Sequence, residues 1–185
     1  MVTVGVDEVG RGCWAGPLVA GAVILSRPIA GLKDSKKLTK KQREAFAGQI
    51  HENALAVGLG WAGPDEIDRL GMTAAIRLAM RRALELLDAD YDEIIIDGNF
   101  NFLKDNPKAG ALIKADDSVP AVSAASIVAK VARDDYMAEV ADKYPDYGFP
   151  SHVGYGTSLH IERLKLYGVS DLHRRSFKPV AALLQ

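Results

Sequence analysis

The sequence has a single cysteine, Cys13, among 185 residues, so it cannot form an intrachain disulfide or a zinc site built from several cysteines. It also lacks an excess of either charge, because 23 lysines and arginines accompany 24 aspartates and glutamates. A uniformly basic nucleic-acid binder is therefore excluded, although a local basic groove is compatible with a neutral total. No hydrophobic run is as long as a membrane-spanning helix, and no signal-peptide pattern is present at the N-terminus. We therefore expect a cytoplasmic protein with no membrane association.

The composition is that of an ordinary folded protein. Hydrophobic residues make up 48% of the sequence and charged residues 25%, which does not favour disorder. A chain of 185 residues is large enough to bury one hydrophobic core. We therefore expect one domain over residues 1–185, with a C-terminal helical part over about 145–185, and we expect a monomer.

Hydrophobic periodicity predicts two initial strands that could pair as a hairpin, followed by alternating helices and strands. Apolar runs predict strands over residues 2–6, 18–25, 54–62, 93–97 and 111–113. Helical spacing predicts helices over about 40–53, 72–87 and 122–144. We expect Thr39 to cap the first helix, Ser118 or Ser123 to cap the third, and Thr157 to cap a last helix.

The first seventeen residues, MVTVGVDEVGRGCWAGP, bring an apolar strand directly to two adjacent carboxylates, Asp7 and Glu8. The segment Gly10-Arg11-Gly12 follows, a turn with one cation between two residues that readily adopt positive φ. Two acids at the end of a buried strand are costly to fold. We therefore favour a metal site beside a backbone that can approach a phosphate; the alternative is a polar strand end with a helix cap.

The same pattern of apolar strand, acid and glycine recurs at Ile96-Asp97-Gly98, and Asp116 follows a third short strand. Carboxylates without cysteine or suitably spaced histidine select hard cations such as Mg²⁺ or Mn²⁺. Two such ions about 3.5–4 Å apart can activate a water and stabilise a leaving oxygen. Each acid alone is more often a surface residue, so the repeated pattern carries the prediction of a metal site.

Basic and aromatic residues near these acids are candidate substrate contacts: Arg11, Lys33, Lys36, Lys37, Tyr155, Arg174 and Arg175. Tyr155 lies between two glycines and could stack on a sugar or base, or could pack a loop against the core. The segment 173–177 is basic and is expected to be exposed. His152 and His160 could assist catalysis or contact the leaving group, but histidines in such positions more often have structural roles.

Several motifs, taken together, resemble ribonuclease HII. They occur in the order of that family and cover nearly the whole chain: DEVGRG and AGP within 7–17, DSKKL at 34–38, IDG at 96–98, KAD at 114–116, SAASIVAKV with RD over 123–134, and GYGT with His160. The combination of DEVGRG with AGP is highly specific.

The resemblance implies an α/β fold of the ribonuclease H-like type, a five-stranded mixed sheet flanked by helices, with a C-terminal helical segment that contacts substrate. It implies an endoribonuclease that hydrolyses the RNA strand of RNA–DNA hybrids and cuts on the 5′ side of single ribonucleotides in duplex DNA. The products would have 5′-phosphate and 3′-hydroxyl ends, and the roles would be ribonucleotide excision repair and primer RNA removal. The cofactors would be two Mg²⁺ or Mn²⁺ ions per site.

Carried over residue by residue, the resemblance assigns catalysis and metal binding to four acids, Asp7, Glu8, Asp97 and Asp116. Backbone contact with the 2′-hydroxyl, the group that distinguishes RNA from DNA, is assigned to Gly10, Arg11 and Gly12. Tyr155 would stack on the following sugar, and Lys36 would contact a phosphate. Two alternatives remain: a type 3 relative specific for long hybrids, which the Gly-Arg-Gly turn opposes, and an inactive hybrid-binding module, which the four acids oppose.

Overall fold

The apolar alternation at the N-terminus forms the central strand of a mixed sheet. The computed structural model describes residues 1–32 and 35–184. Within them the strands are β1 (Thr3–Val9), β2 (Leu18–Leu25), β3 (Ala54–Ala62), β4 (Glu93–Asp97) and β5 (Ala109–Leu112). Their order across the sheet is β3-β2-β1-β4-β5. The pairs β1–β2 and β2–β3 are antiparallel, whereas β1–β4 and β4–β5 are parallel, so the predicted hairpin is confirmed.

Helices cover both faces of this sheet. The α-helices of the described residues are α1 (Lys40–Asn53), α2 (Pro64–Leu70), α3 (Met72–Glu85), α4 (Ala115–Ser118), α5 (Pro120–Glu139), α6 (Phe149–His152), α7 (Ser158–Tyr167) and α8 (Lys178–Ala181). Single turns of 3₁₀ helix occur at Ser35–Lys37, Val140–Asp142 and Pro145–Tyr147. Helices α1 and α5 pack on one face and α3 on the other, which confirms the predicted fold class.

Local capping sets the start of two helices as predicted. The Thr39 hydroxyl accepts the backbone N–H of Gln42 at 3.3 Å, and the Gln42 side-chain oxygen accepts the backbone N–H of Thr39 at 2.9 Å. This reciprocal capping box satisfies two donors that a helix start leaves unpaired. The Thr157 hydroxyl accepts the backbone N–H of His160 at 3.3 Å and starts α7 in the same way.

Glycine in the strands allows the helices to approach the sheet closely. A Cβ on Gly60 would lie 1.8 Å from the carbonyl oxygen of Ala79 in α3, and one on Gly21 would lie 2.4 Å from the carbonyl oxygen of Ala125 in α5. Real side chains do not tolerate such distances. The depth at which α3 and α5 seat therefore depends on these glycines.

The segment after β4 departs from the prediction. β5 spans Ala109–Leu112 rather than 111–113, and Asp116 lies in α4 rather than at the end of a strand. Helix α5 spans Pro120–Glu139 rather than 122–144. A proline suits the first turn of a helix, because its missing N–H would have no partner there.

The predicted cap of α5 is wrong. Val119 precedes the helix and makes no side-chain capping bond, so neither Ser118 nor Ser123 is its cap. The Ser123 hydroxyl instead donates to the carbonyl oxygen of Asp116 at 2.6 Å, which ties α5 to α4.

Two further observations bear on the predictions. No helix among the described residues combines the length and the apolar composition needed to cross a bilayer. Lys33, a candidate substrate contact, and Asp34, the first residue of the DSKKL motif, lie outside the described residues.

Candidate active site

Asp7 and Asp97 lie side by side where the parallel pairing of the central strands β1 and β4 ends. Val6 of β1 pairs with Ile96 of β4, so the following residue on each strand reaches the same edge of the sheet. Gly98 then turns the chain away with a φ of +107°, a conformation that favours glycine. Sites in α/β sheets are commonly built where such strands end. The sequence predicted that the strand ends at residue 6 and that both acids follow it. In the structure β1 continues to Val9, so Asp7 and Glu8 lie within the strand.

Asp97 also fixes the position of the acid that follows β5. Its Oδ1 accepts the backbone N–H of Ala115 at 2.8 Å and the backbone N–H of Asp116 at 3.4 Å. These donors belong to the first turn of α4, whose N–H groups have no partner within the helix. The buried Asp116 is thereby held beside Asp97 rather than left at the surface.

Asp7 is buried, and its electrostatic environment disfavours a negative charge. Burial is the main cause that raises the pKa of Asp7 from its ordinary value of 3.8 to about 7, and the charges of Glu8 and Asp97 raise it further. Hydrogen bonds from the Ser126 side chain and from the backbone N–H of Glu8, at 2.8 Å, oppose this shift. A cation beside this carboxylate would replace the proton that burial favours.

The side chain of Glu8 is also largely enclosed, and it is only partly paired. Burial raises its pKa, while Arg11, whose Nη1 lies 3.3 Å from Glu8 Oε1, opposes the rise. The other oxygen, Oε2, is buried and makes no hydrogen bond. A buried carboxylate oxygen without a partner is costly, so this atom is suited to binding a cation.

The structure gathers the four predicted acids at one edge of the sheet but does not form a closed metal cage. Side chains alternate along a strand, so the adjacent Asp7 and Glu8 leave β1 in different directions, although both line the same cavity. Across residues 1–32 and 35–184, no three Asp, Glu, His or Cys side chains converge closely enough to hold a metal ion. The donors are nevertheless all carboxylate oxygens. Asp7 and Asp116 are buried, and Oε2 of Glu8 has no hydrogen-bond partner. This donor set fits a hard divalent cation that also binds water or phosphate.

The turn at residues 10–12 presents backbone to solvent beside these acids. Gly10 has a φ of +94°, and a Cβ on it would lie 2.5 Å from Nε of Arg133. Gly12 is exposed, and a Cβ there would meet nothing within 4 Å. Only glycine suits position 10, because of its φ and the arginine behind it, whereas the backbone of Gly12 is open to an incoming ligand.

Tyr155 lies next to the same turn. Its backbone pairs with Cys13 in an isolated antiparallel bridge, and the residue is 39% exposed. Lys130 Nζ lies 6.0 Å from the centre of the ring and 2.7 Å from Asp134 Oδ1. Part of this tyrosine is therefore open to a ligand, as the predicted stacking contact requires.

A cavity of about 110 Å³ joins several predicted residues. Asp7, Glu8, Lys36 and Tyr155 line it, together with two cations that the sequence reasoning missed, Arg43 and Lys130. Lys36 Nζ lies 3.8 Å from Asp116 Oδ2, so the predicted phosphate contact lies among the acids. Asp97 and Arg11 line a neighbouring cavity of about 280 Å³. Lys130 stood within a recognised motif, whereas no sequence signal pointed to Arg43.

The segment 173–177 is not the exposed basic surface that the sequence predicted. His173 is 1% exposed and Arg174 is fully buried, whereas Arg175 is exposed. The guanidinium of Arg174 donates to the carbonyl oxygens of Gly16 and Arg11 at 3.0 and 3.1 Å. Arg174 is therefore an internal support for the opening loop rather than a direct substrate contact.

Comparison with known proteins agrees with this geometry. The family model described as ribonuclease HII matches residues 4–180. The chain is 48% identical to ribonuclease HII of Marinomonas sp. (strain MWYL1), over 98% of this chain and 92% of that one. It is 50% identical to ribonuclease HII of Polynucleobacter necessarius subsp. necessarius (strain STIR1), over 98% and 94%.

A solved structure gives the same result. The ribonuclease H2 of Pyrococcus horikoshii OT3 superposes with a TM-score of 0.83 and is 29% identical, over 99% of this chain and 97% of that one. Sequence and fold thus agree over nearly the full length. The chain belongs to the ribonuclease HII family and is a metal-dependent endoribonuclease with ribonuclease H activity on RNA–DNA substrates.

Proposed function

We propose that this protein hydrolyses the RNA strand of RNA–DNA hybrids and cuts duplex DNA on the 5′ side of single embedded ribonucleotides. The products have 5′-phosphate and 3′-hydroxyl ends, and the activity serves ribonucleotide excision repair and primer RNA removal. The observation that carries the proposal is the adjacency of Asp7 and Asp97, at two parallel strand ends, to the glycine turn at residues 10–12. Residues 7–12 thus contain two of the acids proposed for hydrolysis and the backbone proposed for sugar recognition, and Asp97 lies beside them.

The four acids, Asp7, Glu8, Asp97 and Asp116, are the proposed ligands of two Mg²⁺ or Mn²⁺ ions. When bound, such ions supply an activated water and neutralise charge on the phosphate during in-line displacement. Asp7 and Glu8 bind a cation as carboxylates, and the unpaired Oε2 of Glu8 supplies one oxygen for it. Asp97 both contributes a carboxylate and holds the backbone of Asp116 in place.

Recognition of the ribose is the proposed role of Gly10, Arg11, Gly12 and Tyr155. The open backbone at Gly12 can reach a 2′-hydroxyl, which is both donor and acceptor and is absent from DNA. The exposed ring of Tyr155 can stack on the next sugar. Because both groups read sugar and shape, little dependence on base sequence is expected.

Phosphate binding is the proposed role of Lys36. It lines the cavity that Asp7, Glu8 and Tyr155 also line, together with Arg43 and Lys130. Residues 1–185 would act as a single domain, with the C-terminal helical part over about 145–185 providing Tyr155. We also propose that the protein acts as a monomer in the cytoplasm.

The test is cleavage of a DNA duplex that contains one ribonucleotide, in the presence of Mg²⁺ or Mn²⁺, beside a long RNA–DNA hybrid and an all-DNA duplex. We expect one cut on the 5′ side of the ribonucleotide, cleavage of the hybrid, and no cleavage of the DNA duplex. An intact single-ribonucleotide duplex, in a preparation that cuts the hybrid, would contradict the proposed specificity.

A further inference from the structure

The C-terminal segment 172–174 pairs with the loop at residues 10–17, which in turn pairs with the loop that carries Tyr155. The backbone N–H of Gly16 donates to the carbonyl oxygen of Leu172, and the backbone N–H of Arg174 donates to that of Trp14, both at 2.8 Å. Ala15 and His173 form an isolated antiparallel bridge. Adjacent side chains of an extended segment point in opposite directions, so His173 and Arg174 can each serve a different loop.

Arg174 serves the loop at residues 10–17. Its Nε donates to the carbonyl oxygen of Gly16 at 3.0 Å and its Nη1 to that of Arg11 at 3.1 Å. The second bond ends at the middle residue of the glycine turn. Burial lowers the pKa of Arg174 to about 10, so the buried group remains a cation at neutral pH. A planar guanidinium can hold two carbonyls at fixed separation, which a lysine ammonium cannot reproduce.

His173 serves the loop that carries Tyr155, through His160. The backbone N–H of Ser170 lies 3.1 Å from Nδ1 of His173, which makes that nitrogen an acceptor and leaves the proton on Nε2. Nε2 of His173 lies 3.0 Å from Nε2 of His160, which must then accept. The remaining proton of His160 is on Nδ1, 2.9 Å from the carbonyl oxygen of Tyr155. One tautomer of each ring therefore satisfies the whole chain of hydrogen bonds.

Both histidines are enclosed. His160 is fully buried and His173 is 1% exposed, and the ring of His152 stacks on His160 with centroids 4.4 Å apart. Rings held this firmly can fix a carbonyl to which they donate. The Arg11 carbonyl thus has a donor from Arg174, and the Tyr155 carbonyl has one from His160, whose other ring nitrogen accepts from His173.

We propose that His173 and Arg174 are positioning residues that hold Tyr155 and the Gly10–Gly12 turn in register, so that both act on the same ribonucleotide. Neither side chain touches substrate in this arrangement. The proposal rests on the proposed function in one respect, namely that these two loops read the ribonucleotide. Misplacement of either loop by about 1 Å is enough to reduce the rate about a hundredfold.

The first experiment reads the hydrogen-bond chain without reference to activity. In ¹⁵N-labelled protein, the ring nitrogens report which atom of each histidine carries the proton. We expect the Nδ1–H form of His160 and the Nε2–H form of His173, assigned by loss of signals in His160→Gln and His173→Gln. The opposite tautomer in either ring, or rapid exchange between tautomers, would contradict the proposed chain of hydrogen bonds from His173 through His160 to Tyr155.

The second experiment measures kcat and KM on the single-ribonucleotide duplex and on a long hybrid. His173→Gln places an amide donor near the Nε2 position, whereas His173→Leu removes it. We expect His173→Leu to lower kcat on the single-ribonucleotide duplex about tenfold or more, with a smaller loss on the hybrid and partial rescue in His173→Gln. Arg174→Lys should also lower kcat more on the single-ribonucleotide duplex than on the hybrid, because one ammonium group cannot hold the carbonyls of Gly16 and Arg11 together.

The control is Lys178→Ala, which removes an exposed cation four residues away and should leave both substrates unaffected. A purely structural role would lower the melting temperature of His173→Leu and Arg174→Lys while kcat per folded molecule stays at the wild-type value on both substrates. That result would overturn the proposal. If the wild type itself fails to cut the single-ribonucleotide duplex, the proposed function fails instead. The tautomers of His160 and His173, measured by ¹⁵N, then still test the chain of hydrogen bonds.

Discussion

Asp97 Oδ1 accepts the backbone N–H of Asp116 at 3.4 Å, so one acid of the site holds the backbone of another in place. The bond links the end of β4 to the first turn of α4, across the whole of the intervening loop and β5. Asp97 and Asp116 are therefore neighbours in the fold although they lie nineteen residues apart in the sequence. The same carboxylate has a structural and a proposed catalytic role, which makes its charge and its shape separable by mutation.

Asp97→Asn should abolish cleavage while the protein stays folded. The amide oxygen can still accept the N–H groups of Ala115 and Asp116, but the charge that would bind a cation is lost. We expect a loss of activity of about a hundredfold or more, with little change in melting temperature. Asp90→Asn, at an exposed position, is the matched control. Wild-type activity in Asp97→Asn would remove this residue from the metal site.

Binding of Mn²⁺ should release a proton from Asp7 and strengthen as the pH rises towards about 7. Burial raises the pKa of Asp7 from its ordinary 3.8 to about 7, so the metal-free protein keeps this proton between about pH 4 and pH 7. By linkage, the burial of neutral Asp7 stabilises the metal-free fold below about pH 4, and this stabilisation is lost as the pH rises through 7. Calorimetry in buffers of different ionisation enthalpy measures the released proton. Equal proton release by Asp7→Asn and the wild type would contradict the assignment.

Tyr155→Ala should weaken cleavage of the single-ribonucleotide duplex, whereas Tyr155→Phe should retain most of it. Stacking of an aromatic ring on a nucleotide contributes about 1–3 kcal/mol by alanine substitution, which corresponds to a change of about five- to 150-fold in rate or affinity. The phenylalanine keeps the exposed ring surface and loses only the hydroxyl. Steady-state kinetics on both variants distinguishes the two contributions. Equal losses in both would indicate that the hydroxyl, and not the ring, makes the contact.

The free energy of unfolding should decrease as the pH falls from about 6.5 to about 4. Burial lowers the pKa values of His160 and His173 to about 4, so the unfolded chain binds protons in this interval that the folded chain excludes. Urea unfolding at several pH values measures the slope, in an Asp7→Asn background that removes the opposing contribution of Asp7. His160→Gln should flatten the slope and His51→Gln, at an exposed position, should not. A slope of zero in the parent would contradict the neutral buried histidines.

Gly60→Ala should destabilise the protein by about 1–3 kcal/mol or more, because its Cβ would lie 1.8 Å from the carbonyl oxygen of Ala79 and α3 would have to move. Gly48→Ala provides the opposite case, since its Cβ in α1 would meet nothing within 4 Å. There we expect a stabilisation of about 0.5–1 kcal/mol, from the helix propensity of alanine. Chemical denaturation of both variants tests the pair. A stable Gly60→Ala would show that α3 can retreat from the sheet without cost.

Local sequence determined the elements and the chemical character of the site. The strands 18–25 and 54–62 and the helix that Thr39 caps agree with the structure residue for residue, because periodicity and capping act over a few neighbours. The four acids were identified from residue type and motif alone. Their metal-binding role remains a prediction, as do the roles of Gly10, Arg11, Gly12, Lys36 and Tyr155.

The tertiary structure decided what depends on distant partners. Arg174 and His173 looked like exposed basic residues in the sequence, yet both are buried, since carbonyl groups of residues 11 and 16 and the ring of His160 provide their hydrogen bonds. Asp116 was expected at a strand end and lies in α4, where Asp97 receives its N–H. A pattern in the sequence reports the preferences of neighbouring residues. The burial of a charge depends on groups that only the folded chain brings together.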